Sequence, residues 1–328
     1  MLKAILIAAG AVLVSVVAIG AYLIRMPGKR AETLAPLTVA EQQIRTGLAR
    51  HVQTLAGEIG ERNMRQYHNL TLARDYIARE LTQLGYEIEQ QPFTAEGREV
   101  SNIIAEIPGT TRPKEIVIFG AHYDSVFGTP GANDNGSGVA AVLELARLSR
   151  GLKPARTLRF VLFVNEEPPY FQSELMGSVF YARRCKERKE DVVAMYSLET
   201  MGYYSDERNS QQYPSELAAL YPSTGNFIAF ASNVGSADLL RQTVEVFREN
   251  TTLPSEGGAA PEAIPGVGWS DHWSFWRQGY SAVMVTDTAP YRYPHYHATS
   301  DTPDKLDYDR LARCVTGLFA VLRDLART

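Results

Sequence analysis

Where the acids and imidazoles fall relative to the apolar runs is what most constrains this 328-residue chain. The apolar run Ile116–Ala121 stops at His122-Tyr123-Asp124. A second, largely apolar run, Leu158–Val164, stops at Asn165-Glu166-Glu167, and a third, Asp191–Leu198, stops at Glu199. Between the first two lies the glycine-rich stretch Gly131-Ala-Asn-Asp134-Asn-Gly-Ser-Gly138. Near-continuous short apolar runs suit strands buried on both faces of a sheet. Open α/β sheets bind ligands beyond the carboxyl ends of such strands. An imidazole and several carboxylates collected there point to a metal-dependent hydrolase.

The rest of the chain fits that frame. Residues 41–60 read as helical, and residues 71–84 place Leu72, Tyr76, Ile77, Leu81 and Leu84 at helical spacing. Gly85 then ends the helix. Tyr86–Phe93 and Val100–Ile107 read as strands, paired hairpin-fashion next to the strand 115–121. Helices are expected over Val139–Leu148, Ser173–Lys186, Ser236–Glu249 and Tyr308–Leu325, and further strands over Asn226–Ala231 and Ser281–Thr286. Residues 203–224 and 254–269 read as loops. Alternating strands and helices predict one α/β domain, residues 41–328, with a mostly parallel, mixed central sheet covered by helices on both faces.

The chain offers His122, Asp134, Glu167, Glu199 and His297 as metal ligands. Zinc takes imidazole and carboxylate donors, and a two-metal site needs a carboxylate shared between the ions. Asp124 is placed to orient a ligand imidazole, and Glu166 to act as general base on an activated water. Each residue also has a plainer reading. An HxD pair is usually a surface feature, Glu-Glu after a strand is often a helix N-terminus, Glu199 could be solvated, and His295 and His297 could pack on nearby tyrosines. Order along successive strands favours the site over the plainer readings.

These residues sit in motifs that resemble the zinc-dependent M28 peptidases, a family of aminopeptidases with glutaminyl cyclase relatives. The resemblance runs from about Asn69 to Leu325. It rests on Ala121-His122-Tyr-Asp124-Ser125, Gly131–Gly138, Asn165-Glu166-Glu167, Met176-Gly-Ser178, Ser197-Leu-Glu199-Thr-Met-Gly202, Ser270-Asp271-His272 and Tyr296-His297-Ala-Thr-Ser-Asp301-Thr302. It implies two zinc ions, one on His122 and Glu199, the other on Glu167 and His297, with Asp134 bridging. It further implies Glu166 as base, Tyr296 as the group polarising the scissile carbonyl, and Asp124 as support for His122. The expected activity is release of an N-terminal residue from a peptide or protein. A glutaminyl cyclase and a metal-free binding domain are the alternatives. Glu199 replaces the aspartate of several family members, and Pro168–Gln172 lengthens the segment after the acid pair. Tyr291, Tyr293, Trp269, Trp273 and Trp276 are candidates for an apolar side-chain pocket, with core packing the equal alternative for Trp273 and Trp276.

Net charge is -4 with no basic block, which gives no basis for a nucleic-acid partner. Cys185 and Cys314 are too few for a disulfide scaffold or a cysteine zinc site. Ala4–Ile24 carries no charge and is long enough to cross a hydrocarbon core of roughly 30 Å. Residues 1–30 are therefore expected to form a single-pass membrane anchor, and 31–40 a linker, with a cleaved secretory signal as the rival. Counting positive charges puts the Arg25 side in the cytosol. Long domains translocate largely regardless of that count, and an extracytoplasmic catalytic domain is the expectation. The full-length chain should sediment with membranes, and a chain starting near Glu32 should not. Unprocessed full-length protein found wholly in the soluble fraction would exclude the anchor.

Overall fold

The apolar run before His122 is a strand, β3 (Arg112–His122), whose side chains alternate between two cores. Val117, Phe119 and Ala121 enter one hydrophobic cluster, and Ile116 and Ile118 the other. That alternation is what a sheet covered on both faces requires. The computed structural model describes Ser15 and residues 18–327.

Eight strands form one sheet in the order β1 (Ile88–Ala95), β2 (Arg98–Ile107), β4 (Arg156–Phe163), β3, β5 (Asp191–Glu199), β8 (Ala282–Thr286), β6 (Ile228–Ser232), β7 (Ser255–Ala259). The four central strands β4, β3, β5 and β8 are mutually parallel. Their carboxyl ends therefore share one edge of the sheet. The flanks are mixed: β1–β2, β2–β4 and β6–β8 run antiparallel, and β6–β7 parallel. The larger core joins one face to helices α1 (Val39–Val52), α2 (Tyr67–Gln83), α3 (Gly138–Leu148), α5 (Ala237–Asn250) and α7 (Tyr308–Arg327). The smaller core joins the other face to α4 (Gly177–Glu187) and the short α6 (His272–Trp276).

The β1–β2 hairpin lies beside β4, not beside the strand 115–121. After Gly109 the chain crosses the start of β4, where Thr110 and Arg112 donate to the carbonyls of Pro154 and Ala155, and this places β4 between β2 and β3. Residues 255–259 are the edge strand β7 and not loop. Their composition, Ser-Glu-Gly-Gly-Ala, is poor for a strand, and backbone pairing to β6 decides the outcome. Helix α4 begins at Gly177 rather than Ser173. Both cysteines are buried and unpaired.

Much of the expected span Ala4–Ile24 lies outside the described residues. Among the described residues no helix is long and apolar enough to cross a membrane. Residues 18–24 are helical, and the stretch after them is not a free linker. Arg248 donates to the carbonyls of Met26, Pro27 and Gly28, and Arg241 to those of Tyr22 and Arg25.

The start of α3 shows how closely the chain packs beneath the carboxyl edge. A Cβ on Gly138 would lie 2.2 Å from the Leu198 carbonyl oxygen and 2.3 Å from Asn135 Oδ1. Gly138→Ala should therefore cost about 1–3 kcal/mol of stability, the usual penalty for overpacking, read as an earlier denaturant midpoint. An unchanged midpoint would contradict this packing.

Candidate active site

Five segments deliver the candidate residues to the carboxyl edge. His122 is the last residue of β3 and Glu199 the last of β5. Glu166 and Glu167 follow β4 by a few residues, and His297 lies in the loop after β8. Asp134 comes from the segment between β3 and α3, where Asp134 and Asn135 leave helical geometry.

That segment is fixed by alternate side chains. Asn133 Oδ1 accepts from the Gly202 amide at 2.8 Å, and Asn133 Nδ2 donates to Asp287 at 2.9 Å. Asn135 donates to the Leu198 carbonyl at 2.8 Å and accepts from the Thr200 amide at 3.1 Å. Ser137 Oγ accepts from the Met201 amide at 2.9 Å. Asn133, Asn135 and Ser137 thus bind the turn after β5, and Asp134 between them faces the imidazoles. Asp301 holds the same segment by its backbone, accepting from the amides of Asn133 at 2.8 Å and Asp134 at 3.1 Å. Burial pushes the Asp301 carboxyl up to about 6.

Asp134 lies between two imidazoles. Its Oδ1 is 3.3 Å from His122 Nε2, and its Oδ2 is 3.0 Å from His297 Nε2. His122 Nε2 is also 3.2 Å from Glu199 Oε2, and His297 Nε2 is 3.4 Å from Glu167 Oε2. Two possible donor sets follow: His122, Asp134 and Glu199, and Asp134, Glu167 and His297. Their fit to metal can be tested on these distances. Ligand atoms 2.0–2.1 Å from a tetrahedral zinc lie roughly 3.3 Å from one another, close to every separation above. In addition, His122 Nε2 and Asp134 Oδ1 are buried without a hydrogen-bond partner. Buried polar atoms rarely go unpaired, and a cation between them resolves both. The residues present therefore fit two zinc ions.

The electrostatics agree. Burial opposes a charged imidazole at His122, yet Glu199 and Glu166 drive its pKa well above the ordinary value. His297 is pushed up to about 10, against burial, by Asp134 and Glu167. Burial raises Glu167 to about 7 and raises Glu166 well above the carboxylate range, with neighbouring acids adding to both. The cluster holds more acid than its own cations balance.

Glu166 is set apart from the donors. Its nearest approach to His122 is 3.8 Å, and it belongs to neither set. Asp124 reaches both the acid pair and the imidazole. Its carboxylate accepts from the amides of Glu166 and Glu167 at 3.1 and 3.2 Å, and lies 3.5 Å from His122 Nδ1. It thus fixes the acid pair as firmly as it borders the imidazole. Glu199 is held by Ser270 Oγ, which donates to Oε2 at 2.8 Å. Tyr296 stacks on His297 with ring centres 3.8 Å apart.

A cleft with about 140 Å³ of free volume opens beside Glu199 and Tyr296. Its walls include Tyr213, Tyr221, Phe227, Phe230, Trp269 and Tyr291. Of the expected pocket aromatics only Trp269 and Tyr291 line it. Tyr293 and Trp276 are buried, Tyr293 donating to Asp301, and Trp273 does not reach the cleft. Gln172, in the lengthened segment after the acid pair, donates to the Gly268 carbonyl at 3.3 Å, between the cleft residues Val267 and Trp269. Ser270 and Asp301 had been visible only as parts of motifs, and Arg62 through no motif. Arg62 is fully buried and donates at 2.7 Å to the carbonyls of Tyr123 and Gly131, tying the β3 exit to the start of the Asp134 segment.

The comparisons with known proteins cover the stretch that carries these residues. The family model described as Peptidase family M28 matches residues 102–322. A protein of Escherichia coli (strain K12), Uncharacterized protein YfbL, is 34% identical over 284 residues, which is 84% of this chain and 86% of the relative. Leucine aminopeptidase 1 of Arthroderma otae is 27% identical over 308 residues, 84% of this chain and 76% of the relative. The crystal structure of Fimbriiglobus ruber glutaminyl cyclase shares the fold, with a TM-score of 0.65 at 20% identity over 90% of this chain and 98% of the other.

The separate positions of the adjacent acids generate a prediction. Glu167→Gln should lose metal at one position together with activity. Glu166→Gln should keep near-normal metal content while turnover falls by about 10²–10⁴, the scale for removing a positioned general base. Metal loss in Glu166→Gln with full content in Glu167→Gln would reverse the assignment.

Proposed function

The chain belongs to peptidase family M28, a hydrolase acting on peptide bonds, and from that premise we propose that it is a zinc-dependent aminopeptidase using two ions held by His122 and Glu199, by Glu167 and His297, and by Asp134 in common. The observation that carries this reading is the placement of the two Asp134 oxygens against two separate imidazoles at 3.3 and 3.0 Å.

Zinc, when bound, supplies Lewis acidity and lowers the pKa of water at such a site. The chain's own groups do the rest. Glu166 takes the proton of the attacking water and returns it to the leaving amine. Burial keeps it a stronger base than an exposed carboxylate. Tyr296 donates a hydrogen bond from its hydroxyl to the developing oxyanion. Burial and the surrounding acids push that phenol far up, so it keeps its proton at neutral pH. The aromatic cleft beside Glu199 and Tyr296 takes a large apolar side chain of the N-terminal residue. Substrates are peptide or protein N-termini, and attachment to a membrane through residues 4–24 is part of the same proposal.

The glutaminyl cyclase fold likeness supports a second reading, in which N-terminal glutamine is cyclised instead of released. The products separate the two. Chelation should abolish release of leucine from a leucyl peptide, and zinc should restore it, while an N-acetylated peptide stays intact. Pyroglutamate from a glutaminyl peptide without free amino acid would favour the cyclase. Undiminished leucine release by fully demetallated protein would reject the metal site altogether.

A further inference from the structure

Apart from Glu199 at the candidate metal site, Glu256 on the edge strand β7 is the one charged residue lining the cleft among the described residues. Successive side chains on a strand point to opposite faces, and β7 follows this closely. A Cβ on Gly257 would lie 2.7 Å from Met26 Cγ, whereas a Cβ on Gly258 would lie 2.1 Å from the Tyr221 hydroxyl. Met26 therefore lies on one face of β7. Glu256 and Gly258 share the other face with Tyr221, inside the cleft. The paired glycines leave room for both neighbours.

The segment after Met26 then reaches the cleft face. Arg30 Nε comes within 2.8 Å of Glu256 Oε1. The other nearby cation, Arg248, stands 4.0 Å from Glu256 Oε2 and is engaged elsewhere. It donates to Ser255 and to the carbonyls of Met26, Pro27 and Gly28. Glu256 is thus a largely buried carboxylate in an aromatic cleft, and its close counter-charge comes from the stretch that follows the N-terminal apolar run.

Resting on the aminopeptidase reading, we propose that Arg30, by neutralising the pocket carboxylate Glu256, makes the side-chain pocket select uncharged N-terminal residues. A lysyl or arginyl side chain entering the cleft would compete with Arg30 for the same carboxylate. With Arg30 in place that cation meets another cation. Without it, Glu256 becomes a counter-charge for a basic side chain. Arg30 is a specificity-determining residue in this account and takes no part in bond cleavage.

The test uses the zinc-loaded full-length chain and compares kcat/KM for arginyl and leucyl peptide substrates of otherwise equal sequence. R30A should raise the arginyl-to-leucyl ratio by roughly tenfold, the lower end of what one hydrogen bond to a charged group contributes. R30K, which keeps the charge, should hold the wild-type ratio, and R30A/E256Q should return to it. Calorimetric binding of free arginine and leucine should move in the same sense. An R30A ratio equal to wild type, with leucine still released, would overturn the pocket assignment and leave the aminopeptidase reading standing. A wild-type protein that releases neither residue would fail the aminopeptidase reading, and the pocket assignment with it.

Discussion

Everything at the carboxyl edge depends on one buried carboxylate, Asp134, being held between two imidazoles. Burying ionised groups is costly unless they are paired. Here Glu166, Glu167 and Glu199 crowd around the same point, so His122 and His297 alone do not balance the charge. Divalent cations between the ligand atoms would relieve that imbalance. The surrounding polar network can be understood as what keeps Asp134 in position until they bind. Asn133, Asn135 and Ser137 fasten its segment to the turn after β5, Asp301 takes its backbone amides, and Arg62 ties down the segment's entry. Burial lowers the Arg62 pKa to about 10, so it stays charged at neutral pH, and the acids around it oppose that fall.

The fold divides the work between rigid and adjustable parts. His122 and Glu199 end central parallel strands that are paired on both sides, so their backbone positions are set by the sheet. Tyr296 and His297 lie in a loop and are more exposed. The cleft beside them is built from the opposite flank of the sheet, β6 to β8, together with residues 213–221. The candidate metal donors and the proposed side-chain cleft therefore draw mainly on different elements, meeting at Glu199 and Tyr296. Relatives can differ in the flank while sharing the edge, and fold likeness alone separates neither peptidases from cyclases nor one side-chain preference from another.

The sequence made the central strands and the candidate site residues readable for a physical reason. Strands buried on both faces need uninterrupted apolar runs, and the polar residues that end them are conspicuous. His122, Glu166, Glu167 and Glu199 stand out in this way. Partners that act through backbone amides left little trace. Asp124 binds the acid pair's amides, and Asp301 those of Asn133 and Asp134, contacts that no spacing rule encodes. Strand order was also hidden, because an antiparallel hairpin can settle beside either neighbour. β7 was missed because its glycines are required by crowding from Met26 and Tyr221, which only the folded chain brings near. The aromatic cleft was half legible: Trp269 and Tyr291 belong to it, while Tyr213, Tyr221, Phe227 and Phe230 come from stretches whose role depends on packing at a distance.

The account stands or falls on Asp134 serving two metal ions at once, and X-ray absorption of the zinc-loaded chain measures that most directly. Two zinc ions per chain with a zinc–zinc vector of about 3.5–4 Å, the spacing of two-metal hydrolases, are the predicted result. A single tightly held zinc with no metal neighbour within that range would contradict it.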